Sequence, residues 1–202
     1  MSTIIDDVKA MDSYINRKVD TESVASFKGN EHIIKLNFTF DIKLIREALD
    51  EIKSKSEFKT ACSGFHALAM TKRKGHSVDD DQDLVGRYYT RVDDSYQEIA
   101  KDELIDETAF SELVDVFKGT YFEYIHQQLS SRYLIGRVRI LEKSSFNCNS
   151  WHRDPEPRIH IPIYTNPGAL FIVNHHCTHL PADGSVYFTD TRGYHTALNG
   201  GD

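Results

Sequence analysis

Cysteine, proline and long apolar runs are all scarce in this chain, and each scarcity excludes something. The three Cys, Cys62, Cys148 and Cys177, are an odd and scattered set. They make no disulfide framework, so a reducing, cytoplasmic setting is expected. No apolar stretch approaches the roughly 20 residues that a membrane helix needs, and the opening MSTIIDDVKA shows no basic-then-apolar export pattern. No membrane partner is therefore expected. Positive charge is in deficit, with 24 Lys+Arg against 31 Asp+Glu and a net charge of −7 when the 10 His are counted neutral. That balance gives no general attraction for nucleic acid. Also missing are a Gly-x-Ser-x-Gly elbow, a P-loop and a dinucleotide fingerprint, so hydrolase, nucleotidase and Rossmann readings have no residues behind them.

What is present suffices for a core. The chain has 202 residues, 40% of them hydrophobic and 11% aromatic, which suits one domain over 1–202 and excludes a disordered chain. All 5 Pro fall between Pro155 and Pro181, so the C-terminal quarter is built differently from the rest. Residues 33–40 (IIKLNFTF) alternate, with Ile34, Leu36, Phe38 and Phe40 on one face of a half-buried strand. Asp41 is placed to cap a helix over 42–55, where Ile42, Ile45, Leu49 and Ile52 recur at helical spacing. FHALAM at 65–70 reads as a strand, and 72–83, with Asp79, Asp80, Asp81 and Asp83, reads as a loop. The stripe Phe110, Leu113, Val114, Phe117, Tyr121, Tyr124 and Ile125 predicts a helix over about 108–129. From Tyr133 onward short strands are expected at 133–142, 158–164, 169–174, 185–190 and 194–198. This order predicts a mainly β fold, a barrel or jelly roll over 133–198 with the preceding helix packed outside.

The chemistry concentrates in NSWHRDPEPRIHIPI (149–163) and TDTRGYHTALN (189–199). His152 and Asp154 flank one residue, so on extended backbone both side chains share a face, about 6–7 Å apart. His195 is the candidate third ligand. Two imidazoles and one carboxylate leave half of an octahedral sphere open, which suits non-haem Fe(II) better than a closed zinc site. His-x-Asp alone is a weak signal, equally read as a surface turn in which Asp154 pairs with His152. Arg158 and His160 again share one strand face, and an arginine beside a metal suits a bidentate carboxylate contact. Arg158 can equally pair with Glu156 or Asp154, and His160 can be a satisfied core histidine.

Lesser features have plainer readings. His175, His176, Cys177 and His179 read as a polar hairpin tip rather than a second metal site. Tyr88, Tyr89 and Arg91, followed by Asp93 and Asp94, read as an exposed strand end or as the lining of a substrate entrance. Cys148 reads as a small buried thiol, and Trp151 is expected to pack beside the metal strand.

The series GRVRILEK (136–143), SWHRDPEPRIHIPIYTNPGALFIV (150–173) and DGSVYFTDTRGYHTALNGG (183–201) resembles the aspartyl/asparaginyl β-hydroxylase and proline hydroxylase branch of the 2-oxoglutarate/Fe(II)-dependent dioxygenases. The resemblance covers about residues 133–202 and leaves 1–132 as helical and strand support. It implies a double-stranded β-helix (cupin-like) core, with Fe(II) held by His152, Asp154 and His195. It further implies 2-oxoglutarate and O₂ as co-substrates and hydroxylation of a protein residue or free amino acid, with the cofactor carrying the hard chemistry. The rival is a non-catalytic cupin-like domain binding a metal and a ligand. The family pattern also places a carboxylate-binding Arg about ten residues beyond the distal His, a position past Asp202. Arg158 is the first substitute for it and His160 its neighbour, with Arg137, Arg139 and Arg192 following.

Overall fold

The computed structural model describes residues 4–201 except 16, 18–24, 63, 79, 80, 87, 92–96 and 102. Asp79, Asp80, Asp93 and Asp94 therefore lie outside the described residues, as does Asp202. The elements run α1 (Ile4–Ile15), β1 (Ile33–Thr39), α2 (Ile42–Lys53), β2 (Lys59–Cys62), β3 (Phe65–Ala69), β4 (Thr71–Lys72) and α3 (Asp81–Leu84). The hairpin strands β5 (Tyr88–Arg91) and β6 (Glu98–Lys101) follow, then β7 (Glu112–Leu113), α4 (Tyr121–Ser130), β8 (Arg139–Lys143) and β9 (Asn147–Cys148). The C-terminal strands are β10 (Arg158–His160), β11 (Ala169–Val173), β12 (His176–Thr178), β13 (Ser185–Thr189) and β14 (His195–Asn199). Among the described residues no helix is long and apolar enough to cross a membrane.

Local chemistry explains several of these boundaries. The Asp41 side chain accepts from Lys43 N and Leu44 N and caps α2, a contact that contributes about 1 kcal/mol. Ile45, Ala48, Leu49 and Ile52 form the buried face of α2, packed with Phe122, Ile125 and Leu129 of α4 and with Phe40, Phe117, Ile140 and Val186. Each fully buried side chain of this size contributes about 1.5–3 kcal/mol.

The long helix expected over 108–129 is not formed. Only Tyr121–Ser130 is α-helical, preceded by the 3₁₀ turns Glu107–Ala109 and Asp115–Phe117 and by β7. Gly119 has φ +76°, a left-handed conformation that interrupts the helix, and Thr120 is extended at its N-cap. Phe110 and Phe117 are buried all the same, so the apolar stripe serves the core without helical backbone. Asp81–Leu84 is a short helix inside the expected loop. In β1, Leu36 and Phe38 pack on the main core with Phe40 beyond them, but Ile34 is 45% exposed and Ile33 is buried in a second cluster. An irregularity between Lys35 and Thr39 shifts the register.

Every strand pairing among the described residues is antiparallel. Two sheets carry the C-terminal strands, ordered β1-β13-β10 and β12-β11-β14-β9. Ile33, Phe171 and Val173, one residue from β1 and two from β11, form the apolar contact between them. Among the described residues the strands bond as separate sheets and not as one closed barrel. One reason is visible at β10, which stops at His160 instead of 164 because Pro162 has no N–H to donate to the ladder.

Gly184, at the turn into β13, has φ +86°, and a Cβ there would lie 1.9 Å from Phe40 O. Gly75 has φ +77° with nothing near its missing Cβ. Gly75→Ala should therefore cost about 1 kcal/mol from backbone strain alone. Gly184→Ala should cost more than about 2 kcal/mol because the clash adds to the strain. Equal denaturant midpoints for the two variants would contradict this packing.

Candidate metal centre

His152 and Asp154 lie in a stretch that Pro155 and Pro157 keep from forming a regular strand, since neither ring nitrogen can donate to a ladder. The segment is held to 191–195 bond by bond instead. His152 N–H donates to His195 O (3.2 Å) and His195 N–H to His152 O (2.8 Å). Asp154 N–H donates to Thr191 O (2.8 Å), and the Thr191 hydroxyl donates to Glu156 O (2.8 Å). Directly opposed residues of an antiparallel pair present their side chains on one face. The two imidazole centroids are accordingly 4.3 Å apart. Asp154 follows at strand period and shares the face. One donor atom from each of His152, Asp154 and His195 lies within 4.8 Å of the others. The three residues singled out in the sequence thus converge. Asp154 is 7% exposed and His195 5%, while His152 is half-buried.

The hydrogen bonds of the two rings decide which nitrogen is available. His152 Nδ1 lies 2.7 Å from Ser150 O, and His195 Nδ1 lies 3.1 Å from Gly193 O. A carbonyl only accepts, so each Nδ1 carries a proton, and in a neutral ring Nε2 is then the nitrogen with the lone pair. His195 Nε2 faces Asp154 Oδ2 at 3.8 Å. Burial, then the neighbouring His152 ring, pulls the His195 pKa below its ordinary value. The ring is neutral near pH 7, as a metal ligand must be. This donor set, with its carbonyl-fixed imidazoles, fits a divalent transition metal.

Behind the centre lies an ionic cluster. Arg158 Nε donates to Asp154 Oδ2 (3.0 Å), Nη2 pairs with Glu156 Oε1 (2.6 Å), and Nη1 lies 3.8 Å from Glu107 Oε2. Burial draws the Arg158 pKa down, but Asp154, Glu107 and Glu156 together hold it above the ordinary arginine value. Arg137 is held by Glu107 Oε1 (2.7 Å) and Val85 O (2.6 Å). Arg139 donates to Leu84 O (2.5 Å), and burial followed by Arg137 and Arg158 brings its pKa down to about 9. Among the described residues no carboxylate lies within 4.0 Å of the Arg139 guanidinium. Arg192, exposed and paired with Asp190, stands apart from this cluster.

His160 lies two residues beyond Arg158 on β10, with Nε2 3.1 Å from Thr189 Oγ1 and its ring 5.0 Å from that of Phe171. Phe171 also stacks on His195 at 5.8 Å. Burial, then His195 and Arg158, pushes the His160 pKa down to about 4. Tyr88 packs against His152 with ring centroids 5.0 Å apart. Trp151 is 48% exposed rather than packed, and Cys148 is exposed as well. His175, His176 and Cys177 fall at and beside the β11–β12 turn, while His179 is buried with Nδ1 2.9 Å from Ala169 O. The pairing of Arg158 with Glu156 and Asp154 is the one the sequence offered, whereas Glu107 and Glu98 are not apparent in the sequence as site residues. No local pattern marks a lone glutamate whose partners come from other elements.

The neutral burial of His160 has a signed consequence. The unfolded chain protonates this ring near pH 6.5 and the folded chain only near 4. The folded state therefore loses stability as pH falls through that window, by on the order of 3 kcal/mol. His160→Gln should flatten the denaturant midpoint between pH 6.5 and 4. An unchanged profile would contradict the burial of an uncharged ring. Compared with known proteins, the chain matches no protein-family model and no curated sequence.

Proposed function

We propose that this chain is a 2-oxoglutarate- and Fe(II)-dependent oxygenase that hydroxylates an amino-acid side chain, free or within a protein, with His152, Asp154 and His195 as the metal ligands. The observation that carries the reading is the donor set. Both Nδ1 atoms are tied to backbone carbonyls, so both Nε2 lone pairs are left to converge with a buried carboxylate. The double-stranded β-helix belongs to the same proposal, supported by the two antiparallel sheets that meet over Ile33, Phe171 and Val173.

Fe(II) with 2-oxoglutarate and O₂ supplies the oxidising chemistry, ending in succinate, CO₂ and a hydroxylated C–H bond. The protein's own residues bind and orient. Arg158 neutralises and aims the Asp154 carboxylate. Being held by Asp154 and Glu156, it leaves Arg139 as the guanidinium able to take an incoming carboxylate. Arg137, Arg139 and Arg158 stand against Glu107, Asp154 and Glu156, so the cluster balances its own charge. A divalent cation then leaves positive charge in excess, which favours an anionic ligand.

The ion pairs that occupy Arg158 favour a second reading, a non-catalytic cupin-like domain that binds a metal. Anaerobic titration with Fe(II) and then 2-oxoglutarate separates the two. The oxygenase reading expects a visible charge-transfer band at one equivalent, abolished in His152→Ala. Arg139→Ala should weaken the 2-oxoglutarate or substrate dependence about tenfold to a hundredfold, or about 1.4–2.8 kcal/mol, with iron affinity nearly unchanged. Iron binding that 2-oxoglutarate does not perturb would support the non-catalytic reading instead.

A further inference from the structure

Among the described residues β5 and β6 supply no donor to the metal group, yet they are fastened to both segments that do. Tyr89 N–H donates to Arg153 O (2.8 Å) and Arg153 N–H to Tyr89 O (3.0 Å). Arg153 is the residue between His152 and Asp154. On β6, the Glu98 carboxylate accepts from Arg153 Nε (2.6 Å) and Nη2, and from the Tyr194 hydroxyl (2.8 Å). Tyr194 immediately precedes His195. The Arg153 guanidinium lies 4.0 Å over the Tyr89 ring, and that of Arg91 lies 4.9 Å over Tyr194.

Side chains alternate along extended backbone, so Arg153 and Tyr194 point away from the face that carries His152, Asp154 and His195. Glu98 thus joins the two ligand segments from the back, while the donor atoms converge at the front. The same alternation in β5 sends Tyr89 to the back, beneath Arg153, and Tyr88 to the front, beside the His152 ring.

We propose that Glu98 is a positioning residue of the metal centre. By joining Arg153 to Tyr194 it sets the spacing between the His152–Asp154 segment and His195, and it holds Tyr88 as a wall beside His152. The inference rests on reading His152, Asp154 and His195 as a metal site. An ordinary half-exposed ion pair contributes little to global stability, so metal affinity and the ligand field, not the melting temperature, are the discriminating readouts.

Co(II) titration of the whole chain, followed by its d–d absorption, tests this. Glu98→Ala should weaken Co(II) about tenfold to a hundredfold and shift the d–d band. Tyr194→Phe, which removes only the His195 side of the tie, should weaken it less and add nothing in the Glu98→Ala background. Amide exchange at Tyr89 and Arg153 should quicken in Glu98→Ala. If Glu98→Ala does not fold, Tyr194→Phe alone decides through the same band and affinity. Unchanged affinity and spectrum in the variants, with wild-type protein binding Co(II), would overturn the role of Glu98 and leave the metal site standing. Failure of the wild-type chain to bind Co(II) would overturn the metal reading, and this inference with it.

Discussion

Two backbone hydrogen bonds between His152 and His195 hold together segments that the chain separates by four other strands. They form an isolated bridge, because the chain turns just before it, with Gly193 N–H bonded back to Asp190 O and Thr191 N–H to Thr189 O. The bridge fixes register, and register fixes which side chains share a face. A slip of one residue in either segment would turn Arg153 or Tyr194 toward the centre in place of that segment's imidazole. Beyond the bridge the register breaks: Asp154 N–H reaches Thr191 O rather than Gly193 O, and the Thr191 hydroxyl donates to Glu156 O.

Burial of Asp154 makes the second demand on the structure. A carboxylate this enclosed is tolerated only with charged or hydrogen-bonded partners. Arg158 supplies one, but its own charge must then be balanced, which brings in Glu156 and Glu107. Glu107 in turn holds Arg137 through both its backbone N–H and its guanidinium. The 3₁₀ turn of Glu107 approaches so closely that a Cβ at Gly136 would lie 2.5 Å from Glu107 O. The N-terminal part of the chain is therefore tied to the C-terminal core through charge as well as through the α2–α4 apolar packing.

Local patterns were legible in the sequence and long-range partnerships were not. The Asp41 cap and the apolar face of α2 follow from short-range chemistry, and both are present. His152 and Asp154 on one face follow from the period of extended backbone. The pairing with His195 rested on the resemblance to a family, since nothing local marks one imidazole as the partner of another. The stripe from Phe110 to Ile125 misled because buried residues at spacings of three and four also suit 3₁₀ turns. Gly119 was the signal against a continuous helix, and Pro162 was the signal against a long β10. Glu98 and Glu107 were invisible because their roles are set entirely by elements distant in sequence.

The central claim is that three side chains converge on one metal position. The most direct measurement is a crystal structure of the Mn(II)-soaked protein with an anomalous difference map. The account expects a single peak about 2.0–2.3 Å from His152 Nε2, His195 Nε2 and an Asp154 carboxylate oxygen, with both Nδ1 atoms still on Ser150 O and Gly193 O. A peak elsewhere, or ligation through either Nδ1, would contradict it.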